Sequence, residues 1–324
     1  MPEKLDRREA IQRLGKLGAA AAATVGLYGG LYGRKSAAAK KDTLQRPTHF
    51  LVPGAPDEVV VARAAGPHQT EDLVRQAVAR LGGMKKFISR GEVVALKPNM
   101  SWDRPPELAA NTNPEVVEAV VKLCLEAGAA KVNLVDHSIN DPRRVFINCG
   151  MTAVAGKTGA ALIYPASQHF KTTNLGGRRL GEWEVYTPVL EADKLINLPV
   201  AKHHGLTGLT LGMKNWIGAV GGSRGALHQD IHQTIVDLAG YFRPTLVIID
   251  ATRIMLRNGP SGGRSSDVAV KNTIIAGTDQ VAVDAAAVSL FEMFPDEIGY
   301  LALAQQQGLG RIEPKAGKLI EVKV

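Results

Sequence analysis

The run VVALKPNMSWDRPPELAANTNPEVVEAVVKLCLEAGAAKVNLV, residues 93–135, decides the fold class. Its first apolar piece, Val93 to Leu96, is short, rich in β-branched residues and halted at Lys97-Pro98-Asn99. Asn113 then stands where an N-cap belongs, Pro114 at the first helical position and Gly128 just past the end, so the residues between them predict a helix. Val132 to Val135 is a second short strand, stopped by Asp136-His137. Strand, helix and strand in succession make the crossover unit of a parallel sheet.

The same alternation extends outward. Upstream, Val59 to Ala62 reads as a strand, and Thr70 as the cap of a helix whose apolar face is Leu73, Val74, Ala77, Val78 and Leu81, ended by Gly82-Gly83. Downstream, strand signals at Ala161 to Ile163, Val185 to Val189, Lys194 to Leu198, Leu246 to Ile249 and Thr273 to Ala276 alternate with helical patterns around 151–159, 230–240, 279–291 and 297–307. The expectation is an α/β fold over 58–324, a largely parallel sheet flanked by helices, in one domain or two small lobes.

Composition excludes some classes of function. The 324 residues are 45% apolar and 22% charged, the balance of an ordinary globular chain. The net charge of +8 is largely N-terminal: residues 1–41 hold nine Lys/Arg against three Asp/Glu, which leaves 30 against 28 for the remainder. With no dense basic run and no aromatic interleaving, nucleic-acid binding gains no support. The glycines after the first strands do not form G-x-G-x-x-G, so a dinucleotide fold gains none either.

The N-terminus reads as an address. Arg7-Arg8 precedes an apolar, alanine- and glycine-rich stretch from Leu17 to Leu31, and Ala37-Ala38-Ala39 offers a small-residue cleavage site. Residues 1–39 thus resemble a twin-arginine export signal, which implies a periplasmic or other extracytoplasmic destination and the export machinery as a partner. An uncleaved membrane anchor is the alternative, with Arg34-Lys35 between the apolar stretch and the alanines. Residues 40–57, with prolines at 47, 53 and 56, read as a linker. In an oxidising compartment Cys124 and Cys149 have the option of pairing, but Cys124 falls among Val117, Val120 and Val121 and reads as a buried thiol.

Chemistry concentrates in LINLPVAKHHGLTGLTLGMKNWIGAVGGSRGALHQDIHQTIVDL, residues 195–238. Imidazoles and amines stand here among seven glycines, in a loop anchored by a strand before it and a helical pattern after it. His204, Lys214 and His228 are the candidate catalytic residues. Lys97, Asn99, Asp136, Lys202, His203, Asn215 and Asp250, most of them following strand ends where open parallel sheets bind ligands, are candidate ligand-binding residues. His228 and His232 share a face if helical, which with His204 gives a candidate metal set, though the glutamate of HExxH is missing. Arg224 reads as surface-exposed, Gly262-Gly263-Arg264 as a weak anion nest, Asp279 as a helix cap, and Asp284 as an interior carboxylate needing a partner in the loop.

The blocks KHHGLTGLTLGMKNWIGAVGG, a later His228, LVIIDA, NGPSGG and IIAGTDQVAVDAAA, in that order, resemble domain-of-unknown-function family 362 over about Val59 to Gly308. Some members of that family carry ferredoxin-like cysteine motifs; with two cysteines this chain cannot build a four-thiolate cluster on its own. The loop alone is also similar to that of the nickel-pincer lactate racemase family, in which a histidine precedes a cofactor-bearing lysine and a later histidine ligates nickel. That similarity implies those places for His204, Lys214 and His228. The reading that follows is an exported enzyme acting on a small anionic, carboxylate-like molecule, with a divalent metal or organic cofactor admitted. The alternative is a ligand- or metal-binding or redox-accessory protein without turnover, and homo-oligomers or a redox partner are compatible with either.

Overall fold

The computed structural model describes residues 50–65, 70–315 and 318–324, within the compact unit Thr43–Val324. A ten-stranded sheet runs through it. The strands are β1 (Val59–Arg63), β2 (Val93–Pro98), β3 (Lys131–Val135), β4 (Ala161–Ile163), β7 (Lys194–Leu198), β8 (Val200–His204), β9 (Gly208–Thr210), β10 (Leu246–Met255), β11 (Val268–Gly277) and β12 (Leu319–Lys323). Their order is β12-β1-β11-β10-β7-β2-β3-β4, with β8 paired to β10 and β9. Neighbours from β10 through β7, β2 and β3 to β4 are all parallel, while β11 runs antiparallel to both β1 and β10. β5 (Phe170–Asn174) and β6 (Glu182–Tyr186) form a separate antiparallel pair.

Alternation along the strands sorts side chains onto two faces. Val60, Val94, Leu96, Val132, Leu134 and Ile248 pack on α1 (Thr70–Arg80), α2 (Pro114–Ala127) and α4 (Met151–Thr158), which follows the short α3 (Pro142–Asn148). Val59, Val61, Ala95, Val247, Ile249 and Ile275 pack on α6 (Ile231–Tyr241), α7 (Gln280–Val288) and α8 (Gly299–Gln306), with α5 (Gly212–Asn215) between. The result is helix, sheet, helix, with strands apolar on both sides, as buried parallel strands require.

The crossover unit forms as its sequence dictates. The Asn113 side chain accepts from Glu115 N–H, Pro114 opens α2, and Gly128 closes it in the left-handed conformation. Asp279 likewise caps α7, accepting from the N–H groups of Val281 and Ala282. Three expectations need revising. Thr70 is the first helical residue of α1, and its hydroxyl donates to Glu115. The run from Val185 to Val189 is a strand only as far as Tyr186, because Pro188 carries the chain into a 3-10 turn at Thr187–Val189. The supposed loop after Val200 is a hairpin: Lys202 and His204 on β8 face Thr210 and Gly208 on β9.

The segment read as a linker also joins the domain from residue 50 onward. Phe50 is buried in the core on the α6–α8 side, Thr245 Oγ1 donates to its carbonyl at 2.8 Å, and Thr278 Oγ1 donates to that of Pro56 at 2.7 Å. The arginine pair, the apolar stretch and Ala37 to Ala39 lie outside the described residues. No helix among the described residues is long and apolar enough to cross a membrane. If Phe50 is core, Phe50→Ala will lower the unfolding free energy by about 3–5 kcal/mol, the cost of a large cavity. Chemical denaturation measures this, and an unchanged midpoint would return 50–57 to the status of linker.

Candidate functional site

Strands β2, β3, β8 and β10 bring four buried charged residues, Lys97, Asp136, Lys202 and Asp250, to one polar segment, Pro98 to Asn113. Lys97 Nζ donates to Asp136 Oδ1 at 2.6 Å and to the Pro98 carbonyl at 3.2 Å. The other oxygen of Asp136 accepts from Met100 N–H at 2.6 Å. Lys202 Nζ donates to Asn99 Oδ1 at 2.9 Å and to the Ala110 carbonyl. Asp250 accepts from Asn113 N–H at 2.7 Å and from Thr252. Burial lowers the pKa of both lysines and raises that of Asp250, the Asp136 carboxylate opposing the shift at Lys97.

Beside this clasp lies a cavity of ≈ 200 Å³. Lys202, Lys214, Arg224, His204 and His228 line it, with Asn99 and Asn215, and Trp102, Ile139, Ile217 and Pro260 supply the apolar wall. Among the described residues no Asp or Glu lines it. Asn215 is fixed by its amide, which donates to the Lys97 carbonyl and to Asn197 Oδ1. Arg224 is held by two carbonyls, Nη1 on His137 at 2.7 Å and Nη2 on Ser138 at 2.8 Å, without a carboxylate.

Lys214 sits on α5, whose start is fixed by Asp284: the carboxylate accepts from the N–H groups of Gly212 at 2.7 Å and Met213 at 2.8 Å. The interior carboxylate thus finds its partner in the expected segment, but in backbone N–H groups and not in a lysine or histidine. Burial pushes Asp284 up to about 7 and Lys214 down to about 8. Lys214 has no hydrogen bond or ion pair among the described residues, and the buried Thr210 hydroxyl on the same wall is also unpartnered.

Hydrogen bonds assign the two imidazoles different tautomers. Leu206 N–H donates to His204 Nδ1 at 3.2 Å, so the proton of the neutral ring is on Nε2. His228 Nδ1 lies 3.1 Å from the Arg224 carbonyl, which can only accept, so Nδ1 carries a proton and in the neutral ring Nε2 carries the lone pair. Burial, then the charges of Lys214 and Lys202, push His204 down to about 3, which keeps that ring a neutral donor.

Of the residues singled out in the sequence, His204, Lys214, His228, Asn99, Lys202 and Asn215 line the cavity. Lys97, Asp136 and Asp250 do not; they hold the segment that walls it. His203 turns to Gly259, whose N–H donates to its Nδ1. His232 is apart from His204 and His228: a 3-10 turn at Arg224–His228 ends before Asp230 caps α6, so the two histidines share no helical face, and His232 packs on Gly299 and Tyr300. Among the described residues no three His, Cys, Asp or Glu side chains are grouped to hold a metal. With His204 Nε2 protonated as well, the donor set does not fit a metal held by protein ligands alone.

Arg224, expected on the surface, is half-buried in the wall, and Ser101, Trp102, Ile139, Thr210, Ile217, Gly218 and Pro260 complete it. Ser101 and Trp102 stand only two and three residues beyond Asn99, within reach of a longer look past the strand end. The proposed nest at Gly262 is weakened because its N–H donates to the Asn258 carbonyl. Two G-x-S-x-G strings, 221–225 and 259–263, carry no nucleophile elbow: neither serine is hydrogen-bonded to a histidine among the described residues, nor does either line the cavity. Cys124 and Cys149 are both buried free thiols.

Fold and site define an α/β protein with a cationic cavity at the carboxyl edge of its parallel strands. The model of the family described as Domain of unknown function (DUF362) matches residues 94–289, and the chain belongs to that family. A thylakoid-associated protein of Synechocystis sp. (strain ATCC 27184 / PCC 6803 / Kazusa) is 28% identical over 254 residues, 76% of each chain. Among solved structures, the lactate racemase apoprotein of Thermoanaerobacterium thermosaccharolyticum is 12% identical with a TM-score of 0.42, the match covering 76% of this chain and 58% of that one. A protein of Thermotoga maritima is 11% identical with a TM-score of 0.39, covering 73% and 59%.

The ion pair behind the cavity gives a test of its rigidity. Lys97→Met leaves Asp136 buried without its countercharge and will cost about 3–5 kcal/mol of stability. Adding Asp136→Leu removes the stranded charge and should recover part of that loss. A denaturation series on the single and double variants decides it, and a neutral single variant would show that the pair is dispensable.

Proposed function

We propose that this chain is an exported enzyme that binds a small carboxylate-like anion in the cavity between α5 and the Pro98 to Asn113 segment. One observation carries the reading: Lys202, Lys214 and Arg224 line that space with amides and imidazoles and no acidic side chain. A buried amine without a partner is costly, and an anion supplies the missing charge. The small volume selects a ligand below drug size, and the Trp102, Ile139 and Ile217 wall accommodates its apolar part.

The histidines divide the proton chemistry. His228 Nε2 receives a proton and His204 Nε2–H donates to an oxygen of the ligand. An organic cofactor remains compatible with the cavity's mixed apolar and cationic wall, and turnover is what separates the enzyme from a plain binding protein.

Calorimetry with a panel of small carboxylates tests this. Lys214→Met should weaken binding by about 1.5–3 kcal/mol, the worth of a hydrogen bond to a charged group. Because the ammonium form is the attracting one and Lys214 titrates near 8, wild-type affinity should fall as pH rises through that value, and the variant should lose the trend. His228→Ala should retain binding and lose turnover. Variants that lower only the melting temperature would overturn the reading and make these residues structural.

Export is tested separately. Replacing Arg7 and Arg8 by lysine should leave the chain in the cytoplasm, as read by fractionation. Undiminished extracytoplasmic yield in that double variant excludes the twin-arginine route.

A further inference from the structure

Anion binding alone leaves one property of the cavity unused, the difference between its two lysines. Lys202 Nζ is surrounded by acceptors, donating to Asn99 Oδ1 and the Ala110 carbonyl, and those oxygens support an ammonium. Lys214, buried on the same wall, has no acceptor among the described residues. Burial and the neighbouring Lys214 charge lower the pKa of Lys202 as well, but its Nζ is engaged by two oxygens, and Lys214 is the amine left free to react. Its lone pair, once free, stands in a cavity that already holds two other donors for a carboxylate, Lys202 and Arg224.

We propose that Lys214 forms an imine with the carbonyl carbon of a small oxo acid, such as a 2-oxo carboxylate, whose carboxylate is held by Lys202 and Arg224. The proposal rests on the anion-site reading above and names its substrate class. Lys214 Nζ attacks the carbonyl carbon; the C–N bond forms as the C=O π pair moves to oxygen, which takes a proton. The nitrogen then loses a proton, the hydroxyl is protonated and leaves as water, the nitrogen lone pair closes C=N, and the second nitrogen proton is lost, so that the two protons nitrogen gives up equal the two that oxygen takes. Amine and carbonyl become imine and water, with no oxidant or reductant. His204 Nε2–H hydrogen-bonds the developing hydroxyl, and His228 Nε2 takes the protons released from nitrogen and returns them to that oxygen. The lowered pKa of Lys214, about 8, agrees with this use by enlarging the neutral fraction near physiological pH.

Reductive trapping on the full chain tests the proposal. The protein is incubated with pyruvate or glyoxylate and cyanoborohydride, then analysed by intact mass and peptide mapping, with lactate and acetate as controls lacking the carbonyl. The expected result is one carboxyalkyl group per chain on Lys214, added on the order of a hundredfold faster than on an exposed lysine such as Lys157. Lys214→Arg should abolish that label while keeping the wild-type melting temperature, and Arg224→Gln should slow it. Label confined to exposed lysines, or equal labelling of Lys214→Arg, overturns the proposal. Calorimetry with lactate separates the two readings: lactate binding without label on Lys214 sinks the imine alone, whereas no binding of lactate and no label sink both.

Discussion

Buried charge at the strand ends is the constraint on which this structure turns. Taking an ion out of water costs several kcal/mol unless its bonding capacity is met. Lys97, Asp136, Lys202 and Asp250 all meet part of theirs on a single segment, through Pro98, Met100, Asn99, Ala110 and Asn113. The segment cannot leave without taking a hydrogen bond from each of the four. Its immobility presents Ser101 and Trp102 to the cavity and fixes Asn113, which caps α2. Packing of the sheet, entry into its crossover helix and the shape of the cavity therefore share one electrostatic cause.

The glycines around Lys214 follow from the same crowding. A Cβ on Gly218 would fall 1.9 Å from Asp136 Oδ1 and 2.9 Å from Lys97 Nζ, so the backbone there presses directly on the ion pair. A Cβ on Gly212 would fall 2.7 Å from Asp284 Oδ1, the carboxylate that receives its N–H. Close approach, and not mobility, is what these two positions require. The segment that reads as an anchored loop is built of β8, β9, α5 and 3-10 turns, its backbone tied to the buried Asp284 and pressed against the buried Asp136.

Local signals made the crossover unit legible: Asn113, Pro114 and Gly128 mark both ends of α2 without reference to anything distant. The alternating apolar strands were legible for the same reason. The β8–β9 hairpin was not, since Lys202, His203 and His204 are poor strand signals, and their pairing depends on β10 far along the chain. His232 was misplaced because spacing of four implies a common face only within one helix, and Asp230 starts a new one. Arg224 escaped because its acceptors, the carbonyls of His137 and Ser138, have no signature in side-chain chemistry. Cavity-lining positions in the quoted stretch were visible as residue types; which of them face one another was set by tertiary packing.

What distinguishes the cavity is where its neighbouring carboxylates point. Asp136 is committed to Lys97 and to Met100 N–H, Asp250 to Asn113 and Thr252, and Asp284 to the start of α5. Each is spent on backbone N–H groups, on a serine or threonine hydroxyl or on a lysine outside the lining, so among the described residues no acidic side chain lines the cavity with Lys202, Lys214 and Arg224. A low-dielectric wall sharpens the field they produce. The opposite tautomers of His204 and His228 add a direction to that field, with one ring offering a proton and the other a lone pair to whatever lies between. Charge of one sign with a donor and an acceptor set apart suits a ligand whose negative end is fixed while its other end exchanges protons.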